Sequence, residues 1–354
     1  MTRRVVVNDA IGARGVSGTA RVADQLVTAL EAVPHVDVER IRPPWSSRHR
    51  SPVVNAARDA WWDMRGAGRA ARRPDLLVSP CNIGRAPAGV RHLLFVQDVM
   101  VLENPEYFDP KFARYFTTLM PRSLRHADCV LASSQHTRRK LLELVPGADV
   151  RVVDLPGRRD ALATTPWPEH LTVLMVGATE PHKNHVAAVE AVSELRRTLR
   201  VHVRLRIVGP AGRAEPALTQ VTDRHDPRRA WVIRDVGLSD AGVDAAYGSS
   251  WLLLQPSLNE GYGLPLVEAT QRGLPVVHSG RGAMSEVAAP GDAGGPDPTS
   301  LVRAMTPLLD RQTWAVRSAA AVAAAPRFGW PAFVERVAEL SLELVPATDL
   351  RDVP

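Results

Sequence analysis

The strongest constraint on this chain is an alternation of short, wholly apolar runs with helix-period stretches, in two series separated by a proline-rich break. Strands of a parallel sheet are covered on both faces, so they read as continuous apolar runs rather than as every-other-residue patterns. Residues 5–7 are Val-Val-Val, and 36–41, 76–78, 93–96 and 129–132 are further runs of this kind. Between them lie helical stretches. Residues 19–32 place Val22, Leu26, Ala29, Leu30 and Val33 on one face, and 110–125 form another helix. Residues 154–170 interrupt the pattern with Pro156, Gly157, Pro166 and Pro168, the composition of a linker. The pattern then restarts, with strands expected at 171–176, 203–208, 231–233, 251–254 and 274–277 and helices at 185–198 and 264–272. Strand–helix alternation of this kind gives an open parallel sheet with helices on both faces.

The expected fold class is therefore α/β, two doubly wound Rossmann-like domains over residues 1–160 and 161–327. A last helix, 331–344, puts Phe333, Val337, Leu340 and Leu344 on one face. It comes too late for the second sheet, so residues 328–354 are expected to pack back on the first domain. The length of 354 residues suits two cores.

Lysine and arginine outnumber acids by 44 − 38 = +6, which favours anionic partners without choosing among them. Aromatics are 5% of the chain and no nucleic-acid module is present, so nucleic acid is not an expected partner. Cys81 and Cys129 have neither metal-ligand spacing nor the numbers for a disulfide framework, which predicts a cytoplasmic protein with reduced thiols. No run approaches the ~18 apolar residues of a membrane span. Peripheral contact with anionic lipid remains open. Val54, Ala57, Trp61 and Met64 fall at helical spacing, so one of Trp61 and Trp62 is expected in the core. The other, with Arg58, Arg65 and Arg69, is read first as a solvated basic helix face, and second as an acceptor or lipid surface.

The most informative segment is Pro256-Ser-Leu-Asn-Glu260-Gly-Tyr-Gly-Leu-Pro-Leu-Val-Glu268-Ala. It follows a strand and precedes a helix. Ligands of doubly wound folds bind beyond the carboxyl ends of the strands, where Glu260 would stand on a loop. Gly261 and Gly263 allow close backbone approach around Tyr262. The amides of Gly263 and Leu264 open a helix whose free N–H groups favour phosphate. Glu268, about one turn further, points back toward the same crevice. Two carboxylates suit hydroxyl groups, because each accepts two or more hydrogen bonds. The plainer alternative is a strand-to-helix turn with two solvated glutamates.

Glu260-x7-Glu268 within this segment resembles the signature of family 4 glycosyltransferases, the retaining enzymes of GT-B architecture. Val176-Gly-Ala-Thr-Glu-Pro-His-Lys-Asn-His185 is similar to that family's Val-Gly-x-x-x-Pro-Arg-Lys-Asn segment. Gly273-Leu-Pro-Val-Val, Ser285-Glu-Val287 and Phe328-Gly-Trp330 extend the likeness over most of the chain. The resemblance implies a donor-binding second domain and an acceptor-binding first domain, with the last helix crossing back to the first. It implies that Glu260 contacts the donor sugar, Glu268 the ribose hydroxyls and Lys183 the diphosphate. A preplaced ammonium would stabilise a departing diphosphate without reorganisation. His182 stands where the family commonly has arginine, which implies a weaker or pH-sensitive phosphate clamp. Gly18-Thr-Ala-Arg21, preceded by Gly15, is similar to the family's donor-facing glycine loop, although an ordinary strand–helix turn reads as well. Leu238 lies where the base would be met.

The chain departs from the family at Gln97-Asp98, where the family reads His-Asp with the histidine facing the donor sugar. Glutamine hydrogen-bonds but does not titrate, which points to an unusual sugar, such as one lacking a hydroxyl, or to weak activity. No Asp-x-Asp pair is present, so no metal or other cofactor is expected beside the nucleotide-sugar co-substrate. The expected activity is retaining transfer of a hexose or deoxyhexose to a glycolipid, polysaccharide or natural product. The catalytic candidates are Glu260, Lys183, Gln97 and Asp98. A non-catalytic nucleotide-sugar binder and a sugar-nucleotide epimerase are the rival readings.

Overall fold

The computed structural model describes residues 2–11, 18–45, 49–157, 164–288 and 292–345. The chain divides into two units, 1–155 with 331–354, and 156–330. Each is built on a six-stranded sheet in which every pairing is parallel.

In the first unit the strands are β1 (Arg3–Asn8), β2 (Val36–Ile41), β3 (Leu76–Ser79), β4 (Arg91–Val96), β5 (Cys129–Ala132) and β6 (Val150–Val152), ordered β2-β1-β3-β4-β5-β6. Central strands β3 and β5 are buried at every position, as continuous apolar runs require. The helix Gly18–Glu31 buries Val22, Leu26, Ala29 and Leu30 on the face read from the sequence. The helix Pro110–His126 starts where Asp109 accepts the amides of Lys111 and Phe112 and Pro110 presets the first turn. The last helix, Trp330–Leu344, buries Phe333, Val337 and Leu340; Leu344 is half-buried. Its Glu343 pairs with Arg151 of β6, within the same unit.

One tryptophan of the pair is in the core, as expected, and it is Trp62. Trp61 lies on the predicted stripe yet is 44% exposed, whereas Trp62 is 3% exposed. The helix Pro52–Trp61 runs into a π-helical turn, Trp62–Gly66. Val54 and Ala57, upstream of the turn on the same stripe, are exposed as well, so that stripe faces outward along the helix and the inward side begins at Trp62. Trp62 then packs inward and donates its indole N–H to Asn8 Oδ1 at 2.7 Å. Gly66 makes this possible, since a Cβ there would lie 2.6 Å from the Trp61 ring and 2.8 Å from that of Trp62.

In the second unit the strands are β7 (Leu171–Val176), β8 (Val203–Val208), β9 (Val232–Asp235), β10 (Leu252–Gln255), β11 (Val276–His278) and β12 (Asp292–Ala293), ordered β12-β11-β10-β7-β8-β9. Three strands begin one or two residues later than their apolar runs. Trp231 and Trp251 pack at the strand entrances, and Pro275 has no N–H to give to a ladder. One core joins Val173, Leu205 and Leu252 to Val189, Val192 and Leu195 of the helix His185–Leu199.

Candidate functional site at the carboxyl ends of the second sheet

The second sheet changes its winding direction between β7 and β10. The chain steps from β7 outward through β8 to β9, returns to β10 beside β7, and then steps the other way through β11 to β12. Doubly wound sheets bind ligands at such a switch point, beyond the carboxyl ends of the strands. The two loops flanking it follow β7 and β10. They carry Lys183 and Glu260.

The β7 loop forms a short turn, Pro181–Lys183, closed by Asn184 at φ 57°, and the helix His185–Leu199 follows. Asparagine tolerates this left-handed conformation better than most residues. Its side chain also ties the two loops, donating to the carbonyls of Pro256 at 3.1 Å and Pro296 at 2.8 Å. Leu258 N–H donates to His182 O at 2.7 Å, a second stitch between the loops.

These stitches hold Lys183 against Glu260. Glu260 is 6% exposed, and its Oε1 accepts from Lys183 Nζ, from Gln255 Nε2 at 2.6 Å and from Ser257 Oγ at 2.8 Å. Burial pushes the Glu260 carboxyl upward, but the Lys183 ammonium and these hydrogen bonds outweigh it and hold the group below its ordinary range. Burial, reinforced by the Lys183 charge, pushes the His182 imidazole down to about 4, and His185 likewise to about 4. His182 is therefore neutral at pH 7, and Lys183 is the cation of this turn.

The turn after Glu260 leads through Gly261 and the buried Tyr262 to Gly263, whose φ of 96° excludes most side chains. Leu264 begins the helix Leu264–Gln271. Glu268, 3% exposed, lies in that helix and accepts the Tyr247 hydroxyl at 2.7 Å on Oε2. Leu238 is half-buried in the loop after β9, just before the helix Asp240–Gly248 that carries Tyr247. The structure thus joins Lys183, His182 and Glu260 directly and links Glu268 to the helix that follows Leu238.

The first-unit candidates gather separately. Gly15 lies outside the described residues. Gly18 opens the helix Gly18–Glu31, with Arg21 half-buried on its first turn. Gln97, 7% exposed at the end of β4, uses its amide nitrogen to donate to Thr19 O and Pro80 O, both at 3.1 Å. Its backbone is held as well, by Asn82 Oδ1 at 2.8 Å and by Ser133 Oγ at 2.6 Å. Both amide hydrogens are therefore committed to joining the start of a helix to the β3 loop. Asp98 Oδ1 accepts the Met100 amide at 3.1 Å, a local turn contact.

Sequence reasoning missed Gln255, Ser257, Asn184 and Tyr247. The one available signal was Gln255, a polar residue closing the buried run Leu252–Gln255. Among the described residues, no group of three or more His, Cys, Asp or Glu side chains is arranged to hold a metal. No helix among them is long and apolar enough to cross a membrane. A separate hollow of about 490 Å³ lies at the opposite, amino ends of β7 and β8, lined by Trp167, His170, Arg204 and Arg206; no motif residue borders it.

Residues 163–323 match the family model for glycosyl transferases group 1. O-antigen chain mannosyltransferase B of Escherichia coli is 28% identical over 253 residues, 66% of this chain and 65% of that protein. The serotype-specific mannosyltransferase WbdA of Escherichia coli is 29% identical over 57% of this chain, but the match spans only 27% of that protein. D-inositol 3-phosphate glycosyltransferase of Corynebacterium efficiens is 30% identical over 57% of this chain and 50% of its own length. Among solved structures, sucrose-phosphate synthase from Thermosynechococcus elongatus superposes with a TM-score of 0.76 over 97% of this chain and 99% of that one, at 15% identity. HepE of Anabaena in complex with UDP and glucose gives 0.72 over 96% and 100%, at 18% identity. The fold is accordingly that of the two-domain, Rossmann-like GT-B glycosyltransferases. The segment that matches the glycosyl transferases group 1 model, residues 163–323, is the one that carries Lys183, Glu260 and Glu268.

Proposed function

We propose that the chain is a metal-independent glycosyltransferase that moves a hexose or deoxyhexose, with retention, from a nucleoside diphosphate sugar to a carbohydrate or glycolipid acceptor. The observation that carries this reading is the buried Lys183–Glu260 pair at the switch point of the second sheet. A diphosphate leaving group gains negative charge as the glycosidic bond breaks. Lys183, able to turn from Glu260 toward it, would supply the neutralising charge. Glu260 stays ionised through Gln255 and Ser257, and its Oε2 is the oxygen left to receive a sugar hydroxyl. Glu268 would accept the ribose hydroxyls.

In this reading the sugar C1–oxygen bond to the diphosphate breaks as the acceptor oxygen attacks from the same face. The acceptor's proton passes to the departing phosphate oxygen. The first unit would bind the acceptor and the second the donor. Relatives named as mannosyltransferases and a structural neighbour solved with UDP-glucose make nucleotide-linked mannose and UDP-glucose the first donors to try.

The test is nucleotide release from GDP-mannose, UDP-glucose and a dTDP-6-deoxyhexose in EDTA, with and without acceptor. Mannose-terminated oligosaccharide and inositol 3-phosphate serve as acceptors, and the product anomer is read by NMR. Acceptor-dependent release with a retained anomer supports the reading. Donor binding without release makes the chain a non-catalytic binder. Donor conversion without acceptor makes it an epimerase or hydrolase.

A further inference from the structure

We infer that Tyr247 is the positioning residue for Glu268, held in turn by Arg272 and Asp244; this rests on the reading of Glu268 as the ribose-binding carboxylate. A glutamate must surrender several rotatable bonds to present its carboxylate in one place, which costs conformational entropy. Glu268 does not have to meet that cost on nucleotide binding, because Tyr247 has already fixed it. The phenol hydroxyl donates to Oε2 at 2.7 Å, while the alternative acceptor, Pro265 O, stands at 3.5 Å. A phenol has one proton to give, and the shorter contact to a charged acceptor takes it.

Tyr247 itself has no freedom. It is fully buried, 21 residues before Glu268 in sequence and on a different helix. The Arg272 guanidinium lies over its ring face, 4.6 Å from the centroid. Arg272 is 2% exposed. It donates to Glu268 O at 2.7 Å and pairs with the Asp244 carboxylate one turn before Tyr247. One buried cation therefore grips both helices, Asp240–Gly248 and Leu264–Gln271, at the point where Tyr247 crosses between them. A phenylalanine would fill the same space under Arg272. The change removes the hydroxyl and with it the 2.7 Å contact to Glu268 while keeping the ring.

The probe is a pair of ligands. UDP, GDP and ADP are each compared with their 2′,3′-dideoxy forms by calorimetry, on wild type, Tyr247→Phe, Glu268→Gln and the double variant. Wild type should prefer the ribose form of its nucleotide by roughly tenfold. Tyr247→Phe should cut that preference to about threefold, leave dideoxy binding within twofold, and barely move the ligand-free unfolding midpoint. In the Glu268→Gln background the tyrosine change should alter the preference no further, as coupled residues require. An undiminished preference in Tyr247→Phe, or an equal loss for both ligand forms, overturns the role of Tyr247. A wild type that binds nucleotide without any preference removes Glu268 from the ribose and the inference with it. A wild type that binds no nucleoside diphosphate overturns the proposed function as well.

Discussion

Both sheets end in a polar crown at the carboxyl ends of their strands, but the two crowns use their side chains differently. In the second unit, Lys183 and Glu260 form an ion pair with side chains 18% and 7% exposed, surrounded by neutral donors that also serve Glu260. In the first, Gln97 is neutral and its amide hydrogens bind Thr19 O and Pro80 O. The Asn8 side chain is likewise occupied, by Trp62 and Asp63. One crown stores charge that a ligand can exchange for its own. The other also holds a buried acid, Asp9, against Arg42, but it commits Gln97 to backbone and Asn8 to the Trp62 and Asp63 side chains. The lesson is that position at a strand end marks a place for a ligand, whereas burial and partners decide whether the side chain is available to one.

The largest effect is expected at the stored charge. Lys183→Ala leaves Glu260 buried with hydrogen bonds alone, and removing one partner of a buried pair costs about 3 kcal/mol or more. Loss of the transition-state cation should lower turnover by roughly 10²- to 10³-fold. Denaturant titration and nucleotide-release kinetics check the two parts separately. A variant of unchanged stability and turnover would erase the contrast between the crowns.

The tryptophan pair tests the first unit's structural use of polar groups. Trp62→Ala removes a buried ring and the Asn8 contact, and should cost about 3–5 kcal/mol. Trp61→Ala, its exposed neighbour, should stay within about 1 kcal/mol. Urea midpoints measure both, and equal losses would place Trp61 in the core after all.

Acid should weaken the protein through histidines in both units. His92 in β4, and His182 and His185, sit at about 4 against an ordinary 6.5, burial being the main cause in each. The unfolded chain takes up protons below about pH 6.5 that the folded chain refuses until about pH 4. Stability from these groups is thus complete above that window and lost as pH falls through it, and the depressed Glu260 adds to the loss lower down. Urea midpoints flat from pH 6.5 to 4 would contradict this. A double His182→Gln, His185→Gln variant should show a shallower fall.

The alternating apolar runs made both sheets legible in the sequence, because parallel strands leave no other pattern. The placement of Lys183 and Glu260 in the loops after two strands of the second sheet was legible too, since each sits among neighbours that share its motif. Their partners were not. Lys183 and Glu260 are 77 residues apart, and only folding brings them together. Nothing in the sequence singled out Tyr247 or Asn184, because their work lies in contacts between distant elements. Gln97 was legible as a departure at a known position, while its commitment to Thr19 and Pro80 is visible only in the fold. The stripe of Val54, Ala57 and Trp61 is apolar yet exposed, so helical spacing alone did not mark the inward face.

Smaller effects follow in the first unit. Gln97→Ala should cost about 1–2 kcal/mol, the value of buried hydrogen bonds whose acceptors lose their partner. It should leave nucleotide affinity within about twofold.

The central claim, that Lys183 of the second unit supplies the charge that receives the nucleotide, is tested most directly by calorimetric binding of UDP, GDP, dTDP and ADP in EDTA to wild type, Lys183→Ala and Gln97→Ala. The account predicts that one nucleotide binds wild type and Gln97→Ala alike and is lost, by at least tenfold in affinity, from Lys183→Ala. Full affinity in Lys183→Ala, or its collapse in Gln97→Ala, would contradict it.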